Sequence, residues 1–252
     1  MKNPFFKNLL SGLSQAFFPE GIKCLSCGDE LSRDEKYCLC GGCLKKFDFL
    51  GGEICGKCGV KMENAAPFCQ TCKSAERQFD WARGVLFYTG EAARLIKSYK
   101  SGDKFLAPYF ADMMYDYYNA QFTTRNAQFP PPDAITFVPC GARRLKERGY
   151  NQAAELAKLL SEKTGLPLYD CLCEIRPTDK QALLKSAQRQ ENVRGAYGIK
   201  ENFPKDDLKN KSIMLIDDIF TTGSTAGECA AVLKRAGIKK VFVFTLATGK
   251  GL

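Results

Sequence analysis

The sequence predicts an α/β fold, a parallel sheet flanked by helices, preceded by a small cysteine-rich module. Nine of the 13 cysteines fall in residues 1–80, which carry 11 Lys and Arg against 10 Asp and Glu. The remaining 26 Lys and Arg and 18 Asp and Glu lie in residues 81–252. In this second part, short apolar runs alternate with amphipathic stretches, as in β–α–β units. We therefore expect two domains, 1–80 and 81–252, with the positive charge in the second.

The composition of the whole chain excludes several classes of protein. The 252 residues are 45% hydrophobic and 26% charged, unlike a disordered or collagen-like chain. The absence of histidine excludes Ser-His-Asp and Cys-His catalysis and His-ligated metals within the chain. No apolar run approaches the roughly 18–20 residues of a membrane-spanning helix. We expect a cytoplasmic protein without a transmembrane segment.

An amphipathic helix is expected near the N-terminus. Apolar residues recur there at helical spacing, namely Phe6, Leu9, Leu10, Leu13, Phe17 and Phe18. Polar residues interrupt this run and no small-residue cleavage site follows, which argues against a secretory signal peptide. We expect the helix to pack on the rest of the chain; peripheral contact with a membrane surface or with a partner is the alternative.

Four Cys-x-x-Cys pairs follow. They are Cys24 and Cys27, Cys40 and Cys43, Cys55 and Cys58, and Cys69 and Cys72. Two intervening residues let both sulfurs of a tight turn face one metal ion, and tetrahedral zinc needs two such pairs. We predict two structural Zn²⁺ ions in consecutive ribbons, although the spacing also permits the first pair to join the third. A disulfide framework is the less favoured alternative, because no secretory signal precedes it.

The second domain is predicted as strands that alternate with helices. Strands are expected at the apolar runs 83–88, 134–138, 212–216 and 241–246. Helices are expected where apolar residues recur every three or four positions, at 91–99, 105–118, 151–164 and 225–236. A loop at 123–133 contains three consecutive prolines.

The most informative segment is residues 213–225. Four apolar residues of a buried strand are followed by Asp217 and Asp218 at its carboxyl end, where ligands of open α/β sheets bind. A Thr/Gly/Ser loop then runs into a helix and offers backbone N–H groups, hydroxyls and the helix dipole to a phosphate. The carboxylates would hold sugar hydroxyls or a hydrated Mg²⁺. A phosphate beside a vicinal diol is the pattern of a 5-phosphoribosyl group.

Residues 213–225 resemble the motif with which type I phosphoribosyltransferases bind 5-phosphoribosyl 1-pyrophosphate (PRPP). Other segments narrow this resemblance to the ComF family of competence proteins. They are the Pro19–Cys24 segment that leads into the cysteine pairs, Val138-Pro139 with Arg143, the run Arg148–Gln152, and Gln181-Ala-Leu with Arg189, Asn192 and Gly195–Tyr197. Cys140-Gly141 departs from the family pattern, in which bulkier residues are expected.

The resemblance implies a type I phosphoribosyltransferase-like domain that binds PRPP with Mg²⁺. In an active transferase, Asp217 and Asp218 would be the catalytic carboxylates. The other PRPP contacts would be Thr221, Thr222, Gly223, Ser224, Thr225, Val138, Pro139, Arg143 and Arg148. Arg144 and Lys100 are further candidates for anion contacts, and residues 178–194 would form the mobile loop of this fold.

Two functions follow as hypotheses. The resemblance implies a role in natural transformation, with single-stranded DNA and a ComFA-like ATPase as partners, and the basic second domain suits binding to nucleic acid. The alternative is an active phosphoribosyltransferase that transfers the ribosyl group of PRPP to an unknown acceptor. The absence of histidine permits this chemistry, since positioning and charge stabilisation would supply most of the catalysis.

Overall fold

The computed structural model describes residues 22–32, 34–123, 129–178 and 191–249. The chain divides into two compact units, Met1–Lys46 and Phe47–Leu252. The last four of the paired cysteines therefore belong to the second unit, and two of them, Cys55 and Cys58, are buried in its core. The domain boundary at residue 80 stays a prediction from composition. The predicted N-terminal amphipathic helix lies outside the described residues.

The first unit contains little regular structure in its described part. An antiparallel bridge joins Lys23 to Glu30, and a 3₁₀ helix spans Lys36–Cys38. The short helix α1 spans Gly41–Leu44. Its first turn is capped by the Cys40 side chain, which accepts a hydrogen bond from the backbone N–H of Cys43.

The described part of the second unit has six strands and six α-helices. The strands are β1 (Trp81–Phe87), β2 (Ala134–Phe137), β3 (Leu172–Glu174), β4 (Tyr197–Ile199), β5 (Ser212–Phe220) and β6 (Lys240–Thr248). The helices are α2 (Gln70–Ser74), α3 (Gly90–Lys100), α4 (Ala107–Phe122), α5 (Ala142–Arg148), α6 (Gln152–Thr164) and α7 (Ser224–Arg235). Two 3₁₀ helices span Lys104–Leu106 and Lys205–Leu208.

Four strands form one parallel sheet in the order β1-β6-β5-β2. Strands β3 and β4 form a separate antiparallel hairpin. The long apolar runs of β5 and β6 are expected of parallel strands, because both faces of such a sheet are covered. The observed sheet and its flanking helices confirm the predicted fold class, and each strand and helix predicted for the second domain has a counterpart.

The two faces of the sheet pack against different elements. On one face, Ile213 and Val243 join a core that includes helix α7, the β3–β4 hairpin and Cys55 and Cys58. On the other face, Phe242 stacks on Trp81, with ring centroids 5.0 Å apart. Helices α4 and α6 pack together on that side. The second cysteine group is therefore part of the core that supports the sheet.

Strand β5 is longer than predicted. The sequence places Asp217 and Asp218 after the end of the strand, whereas the structure places them within it. Asp217 still pairs with Thr245 of β6, and the pairing continues to Phe220. The parallel partner strand thus extends β5 past the apolar run. In the described part of the chain, no helix combines the length and apolar character needed to cross a membrane.

Candidate functional site

The eight paired cysteines assemble into two groups of four thiols. The first cysteine group contains Cys24, Cys27, Cys40 and Cys43, and the second contains Cys55, Cys58, Cys69 and Cys72. Within each group the sulfur atoms all lie within 4.8 Å of one another. Adjacent pairs therefore combine, and the interleaved arrangement that the spacing permits is excluded. Cys38 belongs to neither group and contacts the Lys23 carbonyl oxygen.

The geometry of both groups fits zinc. Four ligands at the vertices of a tetrahedron, with Zn–S bonds of about 2.3 Å, place their sulfurs about 3.8 Å apart. The sulfurs of Cys27 and Cys40, and those of Cys58 and Cys69, are each 3.7 Å apart. These groups would hold the two structural zinc ions, one in each unit.

Backbone N–H groups prepare one thiol of each group for a metal. The N–H of Cys40 donates to Cys24 Sγ at 3.3 Å, and the N–H of Cys69 donates to Cys55 Sγ at 3.2 Å. Burial acts to raise the pKa of both thiols, but these and neighbouring backbone hydrogen bonds outweigh it. The pKa of Cys24 is lowered to about 6 and that of Cys55 to about 7. Both favour the thiolate, which is the form that binds metal.

A cavity of about 480 Å³ lies at the carboxyl ends of β2 and β5. This is the edge at which open α/β sheets bind ligands. Most of the predicted PRPP contacts line it, namely Asp217, Asp218, Thr221, Gly223, Ser224, Thr225, Val138, Pro139 and Arg148. Thr222 and Arg143 are the two predicted contacts that do not line it.

The segment Thr221–Thr225 runs from the end of β5 into the first turn of helix α7 and is called the phosphate loop below, after the group that the sequence predicts for it. Gly223 adopts φ +75°, and a Cβ atom there would lie 2.5 Å from Cζ of Phe220. Glycine therefore suits this position for both conformation and space. Thr222 Oγ1 and Ser224 Oγ are 2.9 Å apart, which holds the turn closed. The 12-residue helix α7 begins at the cavity, which is lined by Gly223 and by the first residues of the helix, Ser224–Ala226.

The two carboxylates of β5 have different surroundings. Asp217 Oδ1 accepts a hydrogen bond of 2.8 Å from the N–H of Asp218, and Asp218 Oδ2 lies 3.0 Å from Lys100 Nζ. Burial, followed by the charge of Asp218, raises the pKa of Asp217 to about 7. The charge of Asp217 therefore changes near neutral pH.

The arginines near Val138 take three different positions. Arg143 is exposed and lies 3.8 Å from Glu147. Arg144 lines the cavity and donates a 2.8 Å hydrogen bond to Glu174. Arg148 also lines the cavity and donates to Gln152 Oε1 at 3.1 Å. Neighbouring arginines cannot be told apart from sequence alone, because helix α5 has no apolar stripe that would fix its orientation.

The side chain of Glu174 explains why a small residue, Gly141, stands where bulkier residues are expected. A Cβ atom on Gly141 would lie 2.1 Å from Glu174 Oε2, so a larger residue would displace this carboxylate. Glu174 also accepts hydrogen bonds from the backbone and side chain of Thr178. The small residue and the acid are therefore a matched pair, separated by more than 30 positions in the chain, and no local motif reveals it.

Asn151 connects the Arg148–Gln152 segment to the sheet. Its side-chain nitrogen donates a 3.0 Å hydrogen bond to the Val138 carbonyl, while its oxygen accepts from Ala153 and caps helix α6. The segment thus holds the end of β2 against the start of a helix, beside the cavity.

Residues 13–73 match the family model described as the double zinc ribbon domain. The chain is 29% identical to Competence protein F of Haemophilus influenzae over 90% of its own length and 96% of that protein. It is 27% identical to Competence protein ComFC of Streptococcus pneumoniae, over 89% and 99% of the two chains. DNA utilization protein YhgH of Escherichia coli is 32% identical over 46% of this chain and 49% of its own. These relatives confirm the resemblance to the ComF family.

Solved structures with likeness to the chain include the PRPP amidotransferase from B. subtilis, with a TM-score of 0.35 and 18% identity. The match covers 56% of this chain and 26% of that one, so the chain spans about a quarter of that enzyme. A hypoxanthine phosphoribosyltransferase from Staphylococcus aureus has a TM-score of 0.33 and 12% identity, over 55% and 62% of the two chains.

Proposed function

We propose that this protein binds PRPP, or a related phosphoribosyl ligand, together with Mg²⁺, and that it handles single-stranded DNA in the cytoplasm during natural transformation. The observation that carries the ligand proposal is one cavity that combines the two carboxylates of β5 with the phosphate loop at the start of helix α7. The loop suits the 5-phosphate, the carboxylates suit ribose hydroxyls and hydrated Mg²⁺, and Arg148 suits the pyrophosphate. The names of the relatives support the role in competence.

A calorimetric titration of the zinc-loaded full chain with Mg·PRPP tests the ligand proposal. We expect binding by the native protein and its loss in the double variant Asp217→Asn/Asp218→Asn. The matched control is Asp206→Asn/Asp207→Asn, which removes two charges from another Asp-Asp pair, exposed on the 3₁₀ helix Lys205–Leu208. Absence of binding to the native protein, or equal loss in both variants, would contradict the proposal.

The DNA proposal rests on the basic second part of the chain and on the names of the relatives. Helix α5 offers the exposed residues Arg143 and Lys146. We expect a labelled oligonucleotide to bind the full chain with an affinity that falls as the salt concentration rises. The reason is that Lys and Arg side chains that contact phosphates release the counterions bound there, and added salt opposes this release. The variant Arg143→Ala/Lys146→Ala should bind more weakly than Lys73→Ala/Lys158→Ala, which removes two exposed lysines elsewhere. Equal binding by the two variants would exclude α5 as the contact.

A phosphoribosyltransferase activity is the second candidate. Tyr88, Tyr197 and Ile219 line the same cavity and would offer an apolar wall to a planar acceptor. A nitrogen nucleophile would form a bond to C1 of the ribose while the bond from C1 to pyrophosphate breaks, and pyrophosphate would leave with Mg²⁺. Release of pyrophosphate from PRPP, screened with nucleobases and amines, tests this candidate, and no release with any acceptor would favour the binding function.

A further inference from the structure

Arg77 connects the second cysteine group to the phosphate loop. Its Nη1 atom donates a 2.9 Å hydrogen bond to the carbonyl oxygen of Thr222, which lies 145 positions later in the chain. Arg77 lies five residues after Cys72, the last member of the cysteine group, and Cys72 packs against the same buried cluster as Phe79 and Phe220. Because a guanidinium is a rigid plane of N–H donors, its hydrogen bond to Thr222 holds the segment that follows the cysteine group against the loop.

The hydrogen bond to Thr222 fixes the direction of a peptide group. In a trans peptide the C=O and N–H bonds point in opposite directions. Arg77 does not line the cavity, so its hydrogen bond holds the carbonyl of Thr222 away from the cavity that the next residue, Gly223, lines. The N–H of Gly223 is therefore directed to the cavity side, where a phosphate oxygen would accept from it.

Aromatic packing adds a second connection along the same path. The Arg77 guanidinium lies 5.9 Å from the ring centre of Phe79, and the Phe79 and Phe220 rings meet edge to face at 5.7 Å. Both rings are buried. Phe220 in turn lies against Gly223, where it leaves no room for a side chain. A displacement of Arg77 would therefore shift the phosphate loop, both through the hydrogen bond to Thr222 and through the packing of Phe79 and Phe220.

We infer that Arg77 couples the second cysteine group to the phosphate loop, so that metal binding by the four thiols strengthens phosphate binding by the loop. This inference rests on the proposed function, because it assumes that the loop binds the phosphate of a phosphoribosyl ligand. The metal fixes Cys72, Cys72 and its segment fix Arg77, and Arg77 fixes the Thr222–Gly223 peptide. Arg77 is a positioning residue, since it contacts the loop from behind. Coupling is reciprocal, so a bound ligand must also retain the metal.

Competition for zinc between the full chain and a colorimetric chelator, taken to equilibrium, measures this coupling without any enzymatic activity. We expect saturating Mg·PRPP to raise the affinity for one of the two zinc ions by about fivefold or more, the range of typical coupling between sites. The protected ion is assigned with Cys24→Ser, which disrupts the first cysteine group and leaves the second. In Arg77→Ala the protection should disappear, and Arg77→Lys should restore part of it, because lysine can still donate to the Thr222 carbonyl.

The matched control is Lys73→Ala, which removes an exposed positive charge one residue after Cys72. It should keep both the affinity for Mg·PRPP and the protection of zinc. If the native protein binds Mg·PRPP but its affinity for zinc is unchanged, or if Arg77→Ala keeps full affinity and full protection, the coupling is wrong while the proposed ligand stands. If the zinc-loaded native protein binds no Mg·PRPP, the proposed function fails and the inference fails with it.

Discussion

Lys100 Nζ lies 3.0 Å from Asp218 Oδ2, and both side chains line the cavity beside the phosphate loop. The two side chains are 27% and 14% exposed, so water screens this ion pair less than a surface pair. Helix α3 carries Lys100 at its last position and thereby brings a cation from the first half of the chain to the carboxylates of β5. Lys100 offsets part of the negative charge that an anionic ligand would otherwise meet there.

Lys100→Ala is expected to weaken the binding of Mg·PRPP. The substitution leaves Asp218 without its nearby cation, and the complex of PRPP with one Mg²⁺ carries a net negative charge. We expect a loss of about tenfold in affinity, equivalent to about 1.4 kcal/mol, as for one charge-assisted contact. Calorimetric titration measures the change.

Lys104→Ala is the matched control for this substitution. Lys104 pairs with Glu155 at 2.8 Å, is more than half exposed and does not line the cavity. Its removal should leave the affinity for Mg·PRPP unchanged. Equal losses in both variants would indicate a general effect of positive charge and would contradict a specific role of Lys100.

Binding of Mg·PRPP is expected to strengthen as the pH rises from 6 to 8. Burial and the charge of Asp218 raise the pKa of Asp217 to about 7, so the carboxylate forms across this interval. Mg²⁺ and ribose hydroxyls both interact best with the ionised form. Titrations at several pH values measure the change, and Asp217→Asn should remove it together with most of the affinity.

The same pKa predicts how Asp217 affects stability. A carboxyl group with a raised pKa stabilises the folded state at low pH, and this contribution is lost as the pH rises from the ordinary value of 3.8 to about 7. Asp217→Asn should therefore raise the melting temperature more at pH 8 than at pH 6. Asp206→Asn is the control, because the hydrogen bond and charge of Lys209 lower the pKa of Asp206 and no gain is expected there.

Periodicity predicted the sheet and the long helices because their apolar residues recur in regular patterns. It missed helix α5, in which only Ala142 and Leu145 are apolar, and the β3–β4 hairpin, whose strands have three residues each. Both are held by contacts distant in the chain, such as the pairing of Glu174 with Tyr197. The periodicity of a short sequence segment does not indicate such contacts.

The candidate site was predictable where one continuous segment carries it. Residues 213–225 contain the carboxylates and the phosphate loop, and the cysteine spacing reveals both metal groups. Lys100 and Arg144 are single cations whose role depends on which elements the fold brings together. Arg77 lies in an unremarkable segment between the last cysteine and β1, and only the fold brings it to Thr222.

The second cysteine group is expected to stabilise the sheet-containing unit. Cys58→Ser should lower the zinc content from two ions to one, measured by elemental analysis, and lower the melting temperature. The reason is that Cys58 lies in the same buried cluster as Phe79 and Ala82, so loss of its metal removes support from β1. Cys38→Ser is the control and should retain two zinc ions and the native melting temperature. Loss of zinc in this control would assign Cys38 a role as a ligand.

Gly223→Ala is expected to impair the phosphate loop while leaving the protein folded. An alanine at φ +75° costs roughly 1–2 kcal/mol in backbone strain, and its Cβ atom would press on the buried ring of Phe220. The loop would relieve this contact by rotating the peptide that presents its N–H to the cavity, so the binding free energy for Mg·PRPP should fall by more than the free energy of unfolding.

The control lies four residues further on: Gly227 lies in helix α7 with nothing within 4 Å of a Cβ atom. Gly227→Ala should stabilise the protein by about 1 kcal/mol and keep the affinity, because alanine favours a helix over glycine. If Gly223→Ala bound Mg·PRPP as tightly as Gly227→Ala, the N–H groups of this turn would not be the phosphate donors.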